Sequence, residues 1–235
     1  QSVRKNFSTG DWLKLVKKKI GELKKKKKVP ILVGGTGLYF KALTEGLVKF
    51  PNIPHRFRQK IRILQKKLGS KKFYLRLVKE DPLVINNIDP SDTQRIIRAY
   101  EIKLFTKKSM YEWFKNTKSD YEKEDFLKLY IDFPRNELLV RINERVQEML
   151  KNGAINEVEK FIKFRVPAGK SANKAIGVAE IKEFINKKIQ IEDLIEKISI
   201  KTRQYAKRQC TWARGHMKDW NKVHPVGLEK LLKKI

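Results

Sequence analysis

Five consecutive residues, Val29-Pro30-Ile31-Leu32-Val33, carry no polar side chain and stop at Gly34-Gly35. A run this short and this apolar, without alternation, predicts a parallel-sheet strand covered on both faces. The residues before it predict a helix: Leu13, Val16, Ile20 and Leu23 recur at the spacing of one buried stripe. Ser8 stands as its N-cap, with Asp11 three places on as the acidic partner. After the glycines, Thr36 to Leu43 opens a second helix. Helix, covered strand, glycine turn and helix make an α/β unit.

From about Phe50 to Glu124 the character changes. Pro51 and Pro54 break the chain, and charged helical stretches follow at Arg56 to Leu68, Lys71 to Lys79 and Thr93 to Leu104. Strand-like runs are scarce, so this part reads as a helical insertion carried on the α/β core. Phe126 to Ile131 returns to a strand, and Asp132-Phe133-Pro134 caps a helix whose buried stripe is Leu138, Ile142, Val146 and Met149. Asn152-Gly153 ends it as a left-handed cap. A long closing helix covers about Ile191 to Arg214, with Ile195, Ile198, Thr202, Tyr205 and Trp212 on one face. Lys197, Lys201, Gln204 and Arg208 fall on the neighbouring face. The expected division is 1–48 for the first part of the core, 49–125 for the insertion, and 126–235 for the core's return and closing helices.

Charge speaks about partners. Fifty-five Lys and Arg against 26 Asp and Glu leave +29, with a pI near 10.1. That surplus favours a polyanion, RNA or DNA first. No run approaches the roughly 18 apolar residues of a spanning helix. Cys210 is the one cysteine, which excludes an intrachain disulfide and points to a reducing compartment, the cytoplasm by default. His55, His216 and His224 stand far apart, so no structural zinc site is expected. The chain opens on Gln1 with no charged-then-apolar leader, and a processed or truncated start is expected.

Four constellations carry candidate chemistry. Gly34-Gly35-Thr36-Gly37 sits where a strand meets a helix; free N–H groups there favour an anion, although a packing turn uses the same residues. Gly169-Lys170-Ser171 lacks the first glycine of a P-loop, since Phe164 stands in its place, and reads as a basic loop. Gln94, Arg95 and Arg98 share one helix end and suit phosphates and base edges; Arg98 could equally pair with Asp92 or Glu101. Lys201 to Trp212 is the densest cationic cluster, and no acid occurs from Lys197 to Arg214, which favours a diphosphate or RNA backbone.

In order along the chain, these segments resemble the tRNA dimethylallyltransferases, also called tRNA isopentenyltransferases. Ile31 to Leu43 is similar to the family's most recognisable segment, and Ile88 to Ala99 to its insertion motif. Arg135, Arg141, Arg145, Met149, Gly153 and Glu157 repeat the spacing of its next helical pair. Thr202-Arg203-Gln204-Tyr205-Ala206-Lys207-Arg208-Gln209-Cys210-Thr211-Trp212 resembles its terminal signature. The likeness spans Phe7 to Trp220.

The resemblance implies a P-loop-kinase-like parallel-sheet core bearing a mainly helical insertion, with tRNA gripped between them. It implies attack of an adenosine N6, in the anticodon stem-loop, on C1 of dimethylallyl diphosphate with release of diphosphate, aided by Mg²⁺ and a flipped-out base. Thr36 matches a threonine near the adenine. Arg58, Gln94, Arg95, Ile96, Ile97 and Arg98 match tRNA-contacting positions, as do Lys174, Ala175, Ile176, Gly177, Val178 and Ala179; in this last segment an aromatic residue usual in the family is absent. Gly34, Gly35, Lys207 and Arg208 match the surroundings of the diphosphate. The family's P-loop and general-base aspartate precede the segment matching Ser8 and have no counterpart here, so these residues alone are expected to be inactive in a monomeric, membrane-free enzyme. The alternative is a non-catalytic homologue that only binds tRNA. An enzyme prenylating free adenine nucleotides would need no helical insertion, and no DNA-reading motif is present.

Overall fold

The computed structural model describes residues 2–5 and 7–233. The chain divides into two compact units, Ala42–Glu122 and the remainder, Gln1–Lys41 with Lys123–Ile235. The first helix, α1 (Thr9–Lys25), starts at the Ser8 capping box: the Asp11 N–H donates to Ser8 Oγ at 3.1 Å, and the Ser8 N–H donates to Asp11 Oδ2 at 3.0 Å. Leu13 and Ile20 are its buried residues.

The apolar run after α1 departs from expectation. Residues 29–33 are not a strand, and Val29, Ile31 and Val33 are 79%, 78% and 93% exposed. Apolar composition specifies a segment that would profit from cover; a ladder further requires a neighbouring backbone in register. Among the described residues the strand pairing is that of β1 (Leu129–Ile131) with β2 (Asn221–Val223), parallel, with Tyr130 opposite Lys222. The return strand is therefore shorter than Phe126 to Ile131, because Lys123–Asp125 forms a 3-10 turn and only three residues find partners.

Helix α2 (Gly37–Thr44) follows the glycine corner. The Ala42–Glu122 unit is helical: α3 (His55–Glu80), α4 (Thr93–Thr106) and α5 (Met110–Phe114). Gly69, at φ 74°, interrupts α3 between the two predicted stretches. Its core joins Ile61, Phe73 and Leu77 of α3 to Ile96, Ile97, Ala99, Tyr100 and Ile102 of α4.

In the other unit α6 (Arg135–Lys151), α7 (Ala154–Lys163), α8 (Val178–Ile185) and α9 (Ile191–His216) share a second core. Val146, Ala154, Val158, Ile181, Leu194 and Ile198 fill it. Asn152 caps α6, and Gly153 turns left-handed into α7. A short α10 (Pro225–Leu232) ends the described chain. The fold class is α/β: a small parallel sheet among helices, with a mainly helical second unit.

Candidate active site and nucleic-acid interface

The glycine corner is held from one side by α9. Gln209 Nε2 donates to the carbonyl of Gly35 at 2.7 Å, across 174 positions of sequence. A Cβ on Gly35 would overlap the Gln209 amide, and one on Gly37 would overlap the Trp212 indole. Gly37 is accordingly required by the close approach of the Trp212 ring, whereas a side chain at 35 would displace the Gln209 amide. A Cβ on Gly34 would meet nothing nearer than Phe40, at 3.9 Å, so Gly34 is the member left open at the exposed side. Thr36 is exposed at the head of α2, and its carbonyl accepts from the Tyr39 N–H at 2.9 Å. Aromatic rings brace the corner. Tyr39 stacks on Trp12 of α1 with centroids 4.5 Å apart, and Trp212 stacks on His216 at 4.4 Å.

Position along α9 decides which cations stand by the corner. Gln209, Trp212 and His216 recur at helical spacing and mark the face turned to the glycines. Arg208 flanks that face, one turn before Trp212, with its guanidinium 5.6 Å from the Tyr205 ring centre. Lys207 leaves the helix about 160° away from Gln209, since each residue advances about 100°. By helix geometry Arg208 flanks the Gln209 face, and Lys207 points away from it. Helix α9 is also tied to the sheet. Burial, with a hydrogen bond to Cys210, pushes the Tyr130 phenol up to about 12.

The segment expected to contact tRNA, Lys174 to Ala179, is tethered at its base. Lys174 and Ala175 are exposed, whereas Gly177 is buried. The Gly177 N–H donates to Glu180 Oε2 at 2.9 Å, and Lys201 of α9 donates to Glu180 Oε1. Burial pushes the Glu180 carboxyl up, but the bonds from Lys201 and Gly177 outweigh it and the net shift is downward from 4.5. Val178 packs against the second core.

In the helical unit, α3 and α4 bring arginines together around one buried carboxylate. Glu101, 2% exposed, receives Arg98 at 3.2 Å and faces Arg62 at 3.9 Å. Arg98 also lies 5.2 Å from the Phe50 ring centre. Arg58 is one turn before Arg62, and its Nε is buried without a hydrogen-bond partner. Arg95 pairs with its own N-cap, Asp92, at 3.3 Å and remains largely exposed beside Gln94. Ile96 and Ile97, 1% and 5% exposed, belong to the core. Their side chains are structural, and the outward face of that stretch is Gln94, Arg95 and Arg98. Sequence reasoning did not single out Arg62 or Phe50, which are legible only from α3–α4 packing. It included Gln209 in a signature without assigning its contact.

Comparison with known proteins identifies the family. The IPP transferase family model matches residues 1–216. A tRNA dimethylallyltransferase of Pelagibacter ubique is 54% identical over 233 residues, covering 99% of this chain and 74% of that protein. The tRNA dimethylallyltransferase of Agrobacterium fabrum is 37% identical over 221 residues, covering 93% and 74%. Among solved structures, a tRNA isopentenylpyrophosphate transferase of Staphylococcus epidermidis superposes with a TM-score of 0.59 at 29% identity, over 95% of this chain and 72% of that one. A eukaryotic dimethylallyltransferase described as acting on tRNA gives 0.73 at 27% identity, over 90% and 54%. Likeness that runs through both units, in sequence and in fold, establishes that this chain belongs to the IPP transferase family.

Proposed function

We propose that the protein modifies tRNA by transferring a dimethylallyl group from dimethylallyl diphosphate to N6 of the adenosine beside the anticodon. The observation that carries this reading is the contact of α9 with the glycine corner, which sets the helix's acid-free cationic stretch, Lys197 to Arg214, against a threonine-bearing turn. In the reaction a bond forms between N6 and C1, and the bond from C1 to the bridging oxygen breaks. Diphosphate leaves with that electron pair, and the N6 proton passes to a base.

The residues present supply binding and orientation. The Thr36 hydroxyl orients the adenine, and Arg208, with the exposed edge of Gly34, receives the departing diphosphate as its charge develops. Lys207, Lys174 and Ala175 face the RNA backbone. Arg58, Gln94, Arg95 and Arg98 make the contacts of the helical unit with the anticodon stem-loop, Arg98 held ready by Glu101.

Mg²⁺ accompanies diphosphate in this reading. Among the described residues no group of three or more His, Cys, Asp or Glu could hold a metal ion. The described residues therefore do not fit a resident metal. Among them, too, no helix is long and apolar enough to cross a membrane.

The test incubates the intact gene product with dimethylallyl diphosphate and anticodon stem-loop RNA, and follows the RNA mass. A gain of one dimethylallyl group on the target adenosine is expected, and Thr36→Ala lowers turnover with RNA affinity retained. Binding without transfer by the intact product would instead establish a non-catalytic tRNA-binding homologue. An unchanged rate in Thr36→Ala would remove Thr36 from the site.

A further inference from the structure

We infer that Gln209 is a positioning residue: its side-chain amide latches the glycine corner to α9 and so fixes where the Thr36 hydroxyl stands during prenyl transfer. This rests on the reading of Thr36 given above, while the latch itself rests on geometry alone. The corner, residues 34–36, follows a largely exposed run without regular secondary structure, and the Tyr39 N–H to Thr36 carbonyl bond ties it to its own helix. Two contacts tie it to α9. One is Gln209 Nε2 to the Gly35 carbonyl at 2.7 Å, and the other is the Trp212 ring over Gly37. Trp212 blocks motion toward α9 but imposes no direction. The hydrogen bond is directional, and it holds the peptide immediately before Thr36.

Gln209 is half-buried one turn from Trp212, and Trp212 in turn stacks on His216. The amide is therefore carried on a rigid face of a 26-residue helix and not on a loop. A hydroxyl that must orient a nucleophile loses much of its effect when displaced by about 1 Å, which can cost up to about 100-fold in rate. The latch also explains why glycine stands at 35: any Cβ would push the flexible amide aside and break the same bond.

Two measurements test this. The first needs no substrate: hydrogen–deuterium exchange of peptides covering residues 34–40 in this chain, with Gln209→Ala and the isosteric Gln209→Glu. Glutamate keeps the shape but has no N–H to donate and sets a carboxylate against the Gly35 carbonyl. Both variants are expected to speed exchange there while peptides of α7 and α8 stay unchanged. Unaltered exchange in both overturns the latch.

The second is steady-state kinetics on the intact gene product. Gln209→Glu lowers kcat about 10- to 100-fold with KM for RNA held within about twofold, because orientation and not binding is lost. Adding Gln209→Glu to Thr36→Ala, or to Gly35→Ala, brings little further loss, since each acts on the same hydroxyl. Wild-type kcat in Gln209→Glu, or fully multiplicative losses in the double variants, overturns the positioning role. If the unmutated protein transfers no prenyl group, the functional reading falls, and the exchange result still decides the latch.

Discussion

At the scale of single residues, the two glycines pressed by α9 behave differently from the one that is not. Gly37→Ala places a methyl against the Trp212 ring and is expected to cost about 1–3 kcal/mol in urea unfolding. Gly34→Ala meets only van der Waals space and stays within about 0.5 kcal/mol. Equal effects would show that the corner does not sit against α9. Glu180 offers a second contrast. Its carboxylate anchors both Gly177 and Lys201, so Glu180→Gln is expected to cost about 1–2 kcal/mol at neutral pH. Because the folded pKa lies below 4.5, that stabilisation is complete above 4.5 and disappears as pH falls through the lowered value. The gap between wild type and Glu180→Gln should therefore close between pH 7 and pH 3, and a constant gap would deny the ion pair its role. The Ser8–Asp11 box was legible in sequence because a cap involves neighbours three places apart. The Glu180 tether was not, since Lys201 lies 21 positions away.

Among elements, helices were easy to read and strand pairing was not. The break of α3 at Gly69 and the start of α4 at Asp92 follow from local chemistry, and both lie where residue patterns put them. Asp92 and Arg95 separate stability from binding. Asp92 caps α4 by accepting from the Arg95 N–H at 3.0 Å, so Asp92→Ala is expected to lower stability by about 1 kcal/mol. Arg95→Ala removes a largely exposed side chain and should leave the melt within about 0.5 kcal/mol while weakening RNA binding. An Arg95→Ala variant with full RNA affinity would take α4 out of the interface. The run 29–33 gives the opposite lesson, being apolar in composition and open to solvent in this structure. An exposed apolar patch favours self-association, so Ile31→Lys with Val33→Lys should reduce light scattering of this chain with little change in unfolding. A large loss of stability would mean that the run is covered after all.

For the whole molecule, the dominant quantity is the charge of +29, spread over both units as exposed Lys and Arg. RNA affinity should fall steeply with salt, the slope of log K against log salt changing by about 0.7–0.9 for each phosphate neutralised. Lys207→Glu should flatten that slope and reduce affinity, and an affinity independent of salt would remove the polyanion argument. Sequence by itself determined the charge, the helix stripes with their caps, and a family order legible from Ile31 to Trp212. Each of these depends on residues within a turn or two of one another, or on composition alone. Tertiary structure alone decided that residues 29–33 go unpaired here, that α9 turns Gln209 toward the corner and Lys207 away from it, and that Arg62 and Arg98 gather about Glu101. Those outcomes depend on which surfaces meet across tens to hundreds of residues, and periodicity along a chain records that a face is buried without recording what lies against it.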